Sequence, residues 1–508
     1  MTTTTIDKPA GASADGGQWR GSSAARWWVL AVLGVAQLMV VLDATIVNIA
    51  LPQAQQALGF SDANRQWVVT AYALAFGSLL LLGGRLSDLF GRRNVFMVGL
   101  VGFAIASAVG GAATSFEMLV AARAGQGVFG ALLAPAALSL LTVTFTEPGE
   151  RAKAFGVFGA IAGTGAAIGL LLGGVLTEYA SWRWALYVNL GFAAVALVGA
   201  ALLLARHVPI DKPRLDIPGT ITVTIALFAV VFGFSRAESD GWGAASTISW
   251  LTVGVVLLAV FVYLQSRVSN PLLPLRIVTD RTRAGAYMAV FVTGITMFAI
   301  FLFLTYYMQV NLQFSPIATG AAFLPMTATI ILASTVSTQV LLAKFGPRLV
   351  MTAGFVTATI GMVLLTQIGL ETSYVTHVLP GLMVMGLGMG AIFAVAFVGA
   401  TSGVDHHDAG VASAMVNTMQ QVGGSIGTAL LSTIAANASA DYLIGKGTGA
   451  SEATGGGVDP VTGANAAIAG YTATFWWAAG FLALGAVLSV LMLRNEIPAT
   501  EGEPVLAH

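Results

Sequence analysis

Apolar residues run along this chain in fourteen blocks, separated by short polar or glycine-rich stretches. Most blocks approach the roughly 20 residues that a helix needs to cross the hydrocarbon of a bilayer. They lie near 27–51, 65–84, 94–112, 118–142, 154–177, 184–205, 218–234, 248–265, 284–308, 320–342, 348–370, 376–400, 410–436 and 470–493. The first is too long to be the hydrophobic region of a secretion signal. The pattern therefore predicts an all-α polytopic membrane protein. The seventh and eighth blocks are short and are parted by the polar stretch 235–243.

Composition agrees with this pattern. Of 508 residues, 56% are hydrophobic and 9% charged, against about 25% charged in soluble domains, and the mean hydropathy is +0.83. A water-facing surface needs more charge than this, whereas a lipid-facing one penalises it. The 23 basic and 23 acidic residues balance, leaving no basic excess for nucleic acid. Cysteine is absent, which excludes disulfides, thiolate nucleophiles and zinc–thiolate sites. The 60 glycines exceed the average of about 7%, as expected of membrane helices that pack closely.

With fourteen spans both termini share a side. That side holds eighteen Lys and Arg residues; the other holds four, Arg65, Arg183, Arg236 and Lys446, with Arg123 inside a span. The asymmetry predicts cytoplasmic termini. A faint repeat is also present. Phe90-Gly91-Arg92-Arg93 recurs as Phe345-Gly346-Pro347-Arg348, and Gly125, Gly127 and Gly130 are echoed by Gly386, Gly388 and Gly390. The predicted organisation is a cytoplasmic tail (1–26), a six-helix bundle (27–205), a linker with two extra transmembrane helices (206–283), a second six-helix bundle (284–493) and a cytoplasmic tail (494–508). Within the second bundle, 437–469 is rich in Ala, Gly, Ser and Thr and reads as a flexible external loop.

Two ionisable residues lie well inside spans, Asp43 in the first and Arg123 in the fourth. Charges are expensive there, so each is a functional candidate. Their depths let them meet in the outer half of the bundle. They can form a static ion pair that joins two helices. They can also form a proton site, because burial disfavours a carboxylate's charged form, a guanidinium favours it, and a conformational change alters the balance. Gly165, Gly169 and Gly173, with Gly174 beside them, make one smooth stripe along the fifth span. Asn417, Gln420, Gln421 and Gly424 give the thirteenth span a polar face, suited to a cavity wall or to interhelical hydrogen bonds. Asn48 and Gln126 are further cavity candidates. Phe291, Met297, Phe298, Phe301 and Phe303 in the ninth span can line a greasy cavity or pack against lipid or core. Tyr306 and Tyr307 at its outer end read as interface anchors.

Other motifs mislead. Gly125-Gln126-Gly127-Val128-Phe129-Gly130 matches G-x-G-x-x-G but lies within an apolar helix, not between a strand and a helix. No G-x-x-x-x-G-K-[ST] phosphate loop is present. Asp405, His406, His407 and Asp408 are adjacent in a short loop, where neighbours seldom converge on one metal ion. No acid, base and nucleophile set suggests an enzyme.

The segment Gly84-Arg85-Leu86-Ser87-Asp88-Leu89-Phe90-Gly91-Arg92-Arg93 resembles the loop signature of the major facilitator superfamily. The segment 42–52, from Leu42-Asp43-Ala44-Thr45 to Leu51-Pro52, resembles the first-helix signature of the superfamily's fourteen-span drug:proton antiporter branch. Arg123-Ala124-Gly125-Gln126-Gly127 is similar to the fourth-helix signature, and Trp182-Arg183-Trp184 with Asn189 and Leu215-Asp216-Ile217-Pro218-Gly219 also resemble the branch. The resemblance implies a major facilitator fold and a proton-coupled exporter of small amphipathic molecules such as drugs or antibiotics. It further implies proton coupling at Asp43 and Arg123, and a cytoplasmic gate of Gly84, Asp88, Gly91, Arg92 and Arg93. There Asp88 faces the positive start of the thirteenth span. A gradient in place of any cofactor, a monomer, and the cytoplasmic membrane as location complete the expectation. Two positions depart from the family pattern: Leu170 follows Gly169 where proline is usual, and Gly191 stands where a proline often follows the asparagine. The rival readings are an exporter dedicated to one endogenous metabolite and a membrane receptor that has lost transport. The second half has no acidic residue well inside a span, which disfavours a strict preference for dications.

Overall fold

The computed structural model describes residues 23–145, 147–204, 216–401, 404, 409–446 and 459–493. Among the described residues all regular structure is helical. The first bundle contains α1 (Ser23–Leu58), α2 (Asp62–Phe90), α3 (Arg92–Gly111), α4 (Phe116–Thr144), α5 (Pro148–Tyr179) and α6 (Trp184–Leu203). The inserted hairpin is α7 (Ile217–Asp240) and α8 (Ala245–Arg267), followed by a short α9 (Leu275–Thr279). The second bundle contains α10 (Arg281–Tyr306), which runs into a wider π-turn at Tyr307–Asn311, then α11 (Pro316–Ala322), α12 (Leu324–Val336), α13 (Leu342–Leu365), α14 (Leu379–Thr401), α15 (Ala409–Gly445) and α16 (Pro460–Met492).

Among the described residues, eleven helical segments are long and apolar enough to span a membrane. One of them, Pro316–Leu365, contains two passes joined at Gly346; with α5 and α15 the architecture has the fourteen passes read from the sequence. The repeat noted above is a repeat of backbone geometry. Gly91 separates α2 from α3 with φ 87°, and Gly346 interrupts the later helical run with φ 74°. Both occupy the left-handed region that only glycine adopts without strain.

The helices outrun the apolar blocks because a block records only the part inside hydrocarbon, while the helix continues into the interface. The stretch 437–469, read as loop, is helical over 437–445 and 460–469. Similarly, the polar 235–240 belongs to α7, and the turn is confined to 241–244, where Gly241 takes φ 87°. Pro148 opens α5 at the first-turn position, where its missing N–H is harmless, so that helix begins six residues ahead of its apolar block at 154.

In the first half α2 packs on α4, α3 on α4 and α6, and α1 on α5 and α6; in the second, α10 packs on α15 and α16, and α14 on α12 and α13. The halves meet along two seams, α2 with α15 and α5 with α11. The hairpin helix α7 lies against both α2 and α15. Gln66 donates to Ser235 Oγ (3.5 Å), and Thr433 Oγ1 donates to the Phe234 carbonyl (3.1 Å). At its other end Asp216 accepts from Gly219 N (2.8 Å), Gln265 Nε2 (2.6 Å) and Leu272 N (3.3 Å), tying both hairpin helices to the chain ahead of α9. The end of the bundle opposite Ser23 and Leu493 is its distal end.

Small residues set the closest approaches. A Cβ on Gly127 of α4 would lie 2.4 Å from the Tyr72 carbonyl oxygen of α2, and one on Gly83 would lie 2.0 Å from the Ala131 carbonyl. Gly83→Val therefore forces two backbones apart and is expected to remove at least about 1–3 kcal/mol of stability, read as a lower unfolding temperature in detergent. Gly191→Ala, with nothing within 4 Å of the added carbon, leaves that temperature unchanged.

Candidate functional site

Five helices converge on one buried charge cluster in the distal part of the first bundle. Asp43 of α1 and Arg123 of α4 are 0% and 1% exposed, and Arg123 Nη1 donates to Asp43 Oδ2 at 2.6 Å. Gln126, one helical turn after Arg123 and on the same face, donates from Nε2 to Asp43 Oδ1 (2.8 Å) and to Ser107 Oγ of α3 (2.7 Å), while its Oε1 accepts from Arg123 (2.8 Å). Asn189 of α6 donates to Asp43 Oδ1 (2.7 Å) and to Ser107 Oγ (3.3 Å). From α2, the Val68 carbonyl accepts Arg123 Nε–H (3.0 Å), and the guanidinium lies over the Tyr72 ring at 4.4 Å.

The arrangement is one of charge balance. An isolated buried charge is costly, and a paired one is tolerated only when hydrogen bonds satisfy its remaining positions. Here one carboxylate receives three donors, two from neutral amides, and the guanidinium is shared among a carboxylate, two carbonyl oxygens and an aromatic face. Two polar atoms of the cluster have no hydrogen-bond partner, Asn189 Oδ1 and the Tyr72 hydroxyl.

The structure thus brings Asp43, Arg123 and Gln126 together. Gln126, a cavity candidate by sequence, is taken up at both ends of its amide by this cluster and is fully buried. Ser107, Val68 and Tyr72 gave no signal in sequence, since a lone serine or tyrosine in an apolar helix is unremarkable and a backbone carbonyl carries none. Asn189 stood out only as part of the Trp-Arg-Trp segment.

The glycine stripe of α5 lies against α1, the helix that carries Asp43. A Cβ on Gly165 would lie 3.2 Å from Val41, one on Gly169 2.1 Å from Thr45 Oγ1, and one on Gly173 2.8 Å from Ile46. Gly174 faces the other half, 2.6 Å from Ile317 Cα by the same measure. Leu170 is buried, and α5 continues through it as one helix.

At the opposite end, Gly84 approaches Pro135, Arg85 donates to the Pro271 carbonyl (2.8 Å), and Arg93 donates to the Ala201 carbonyl (3.1 Å). Gly91 makes the turn and Arg92 opens α3. The Asp88 side chain, the residues just ahead of α15 and the Asp405–Asp408 run lie outside what the structure describes.

The polar face of α15 is wedged between α2 and α10. Gln421 meets α2 at Gly77, and its Oε1 is buried without a partner. The Gln420 carbonyl closes on Gly294 of α10, and Gly424 receives the Phe298 ring. Asn417 is half-buried on the same face. On α1, Asn48 Nδ2 donates back to the Ala44 carbonyl (3.1 Å), leaving Oδ1 buried and unpartnered.

The reading of Tyr306 and Tyr307 as interface anchors is corrected. They are 4% and 0% exposed, because Tyr306 reaches Gln55 of the first half and Tyr307 donates to the Gly369 carbonyl. Phe301 and Phe303 are likewise buried rather than lipid-facing. Among the described residues no three His, Cys, Asp or Glu side chains gather as a metal site would require.

Comparison with known proteins agrees with this architecture. The sequence model described as Major Facilitator Superfamily matches residues 33–428. The puromycin resistance protein pur8 of Streptomyces alboniger is 47% identical over 95% of this chain and 94% of its own length. The cephamycin export protein CmcT of Amycolatopsis lactamdurans is 36% identical over 84% and 87%. Among solved structures, an inward-facing, occupied bacterial homologue of the human lysosomal transporter Spinster aligns with TM-score 0.66 at 15% identity, covering 94% of this chain and all of the other, a likeness of fold alone. Fourteen passes, a repeated glycine turn, two bundles joined at two seams and a match across most of the length lead to one assignment: the chain belongs to the major facilitator superfamily.

Proposed function

We propose that the chain is a secondary exporter of amphipathic, antibiotic-like small molecules in the cytoplasmic membrane, driven by protons that enter through the Asp43–Arg123 cluster. Both termini are then cytoplasmic and the distal end faces outside. The carrying observation is a fully buried carboxylate held by one guanidinium and two amides from separate helices. Support for the cargo comes from relatives whose names specify puromycin resistance and cephamycin export.

The chemistry follows from charge. With Asp43 ionised, α1, α4 and α6 are drawn together around it. A proton on Asp43 abolishes the anion, and Arg123 keeps only the Val68 carbonyl, Gln126 Oε1 and the Tyr72 ring as partners. The two protonation states then favour different packings of α1 in its bundle. Substrate bound between the halves favours one packing over the other, and that difference is what couples the two fluxes. No covalent chemistry and no cofactor enter. The unpartnered Asn48 Oδ1 and Gln421 Oε1, with Phe298, supply polar and greasy surface for the cargo. Because each named relative points to a single compound, a narrow exporter of one natural product is the second reading. Growth of expressing cells on a varied antibiotic panel separates the two: resistance to several unrelated compounds supports the broad reading, and resistance to one supports the narrow.

Asp43→Asn keeps the shape of the side chain but removes its acid group. Substrate-induced proton release from everted vesicles is expected to vanish while binding persists; gradient-driven efflux by this variant would remove Asp43 from its role, and binding without flux in the unaltered protein would favour a receptor. Arg123→Gln strands a buried anion and is expected to destabilise the protein by about 3–5 kcal/mol, seen as a lower unfolding temperature in detergent. Adding Asp43→Asn to it recovers part of the loss, since the stranded charge is then gone.

A further inference from the structure

The distal end holds a second set of polar contacts that the export reading does not use. Arg65, in the first turn of α2, is 8% exposed, and its guanidinium carbon sits 4.2 Å from the Tyr306 ring centroid and 5.6 Å from that of Phe303, both on α10 of the other half. The Tyr306 hydroxyl donates to Gln55 of α1, and Gln309 in the π-turn donates to the Ile49 carbonyl (3.1 Å). On the other seam Ile317 N donates to the Glu178 carboxylate of α5 (3.1 Å). Three helices of the first half therefore grip one stretch of the second, 303–317, at the distal end.

Arg65 also lies one turn from Val68, whose carbonyl holds Arg123. The same turn of α2 is attached on one side to the charge cluster and on the other to the opposite half. An arginine over an aromatic face shielded from water is worth about 2- to 30-fold in an equilibrium. That is enough to shift the balance between two states of an alternating transporter.

We propose that Arg65 is a positioning residue that latches the distal end shut on Tyr306 and Phe303, and that the first turn of α2 links this latch to the charge state of Asp43. The linkage rests on Asp43 as the proton site; the latch itself does not.

The absence of cysteine from the chain gives a clean background for the test. Glu178→Cys with Ile317→Cys places a thiol pair across the seam away from Arg65, and the rate at which a short bis-maleimide joins the two thiols by conjugate addition in vesicles reports distal closure. Arg65→Ala and Tyr306→Leu are each expected to lower that rate about 2- to 30-fold, and Arg65→Lys, which keeps a cation over the ring, to retain most of it. Unfolding temperature and a monodisperse elution profile show that each variant is folded. An unchanged rate in folded Arg65→Ala overturns the latch. Asp43→Asn is expected to change the rate in the Arg65 protein and to have no further effect once Arg65 is Ala; an equal change in both overturns the link to Asp43. Proton release is measured separately, so if Asp43→Asn still abolishes it while the joining rate ignores Arg65, the latch falls and the export reading stands.

Discussion

A carboxylate and a guanidinium placed beyond the reach of water constrain everything around them. Each must be solvated by protein, and the groups that do so come from four different helices, with Ser107 of a fifth bonded to two of them. Asp43 and Arg123 therefore act as a joint for the first bundle as much as a pair of charges: Gln126, Asn189, Ser107 and the Val68 carbonyl are positioned by α4, α6, α3 and α2, and the geometry of one helix sets the bonding of the others. Such a joint has few ways to relax. Removing the charge on one member leaves the rest with surplus donors or acceptors.

Helices can lean only where their surfaces are smooth, and glycine supplies that surface. The stripe on α5 meets α1 over the same turns that carry Leu42, Thr45 and Ile46, beside Asp43. The glycines let the backbones approach closely, and the Val41, Thr45 and Ile46 side chains of α1 fill the hollows they leave. Between the halves, Gly174 and Gly320 play the same part at the α5–α11 seam. The bundle is thus joined by charge at its centre and by close glycine contacts at the α5–α11 seam.

Most of the architecture was legible in the sequence because the bilayer imposes a length and a polarity on each pass. The apolar blocks located the fourteen passes, and the recurrence of Phe-Gly before basic residues identified Gly91 and Gly346, whose positive φ explains why glycine is needed at both. Depth allowed Asp43 and Arg123 to meet, and the structure pairs them. Helix ends were less legible, since hydropathy fades in the interface while backbone hydrogen bonding does not; 235–240 and 437–445 are helical for that reason. Tyr306 and Tyr307 were misplaced because an aromatic residue near a helix end has the same signature whether it faces headgroups or another bundle. Ser107, Tyr72 and Val68 were invisible, because their importance comes from what α3 and α2 bring beside them.

The inserted hairpin bears on the route that a lipid-soluble compound could follow. Helix α7 is fastened to α2 at Gln66 and to α15 at Thr433, and its lower end is tied down through Asp216 and Gln265. It therefore roofs the crevice where those two helices adjoin, on the flank facing the acyl chains. Sideways entry from the membrane on that flank must displace an entire fastened helix pair, whereas among the described residues no helix pair covers the flank between α5 and α11. The two extra passes make the molecule asymmetric toward its lipid surroundings, even though its two halves repeat one another.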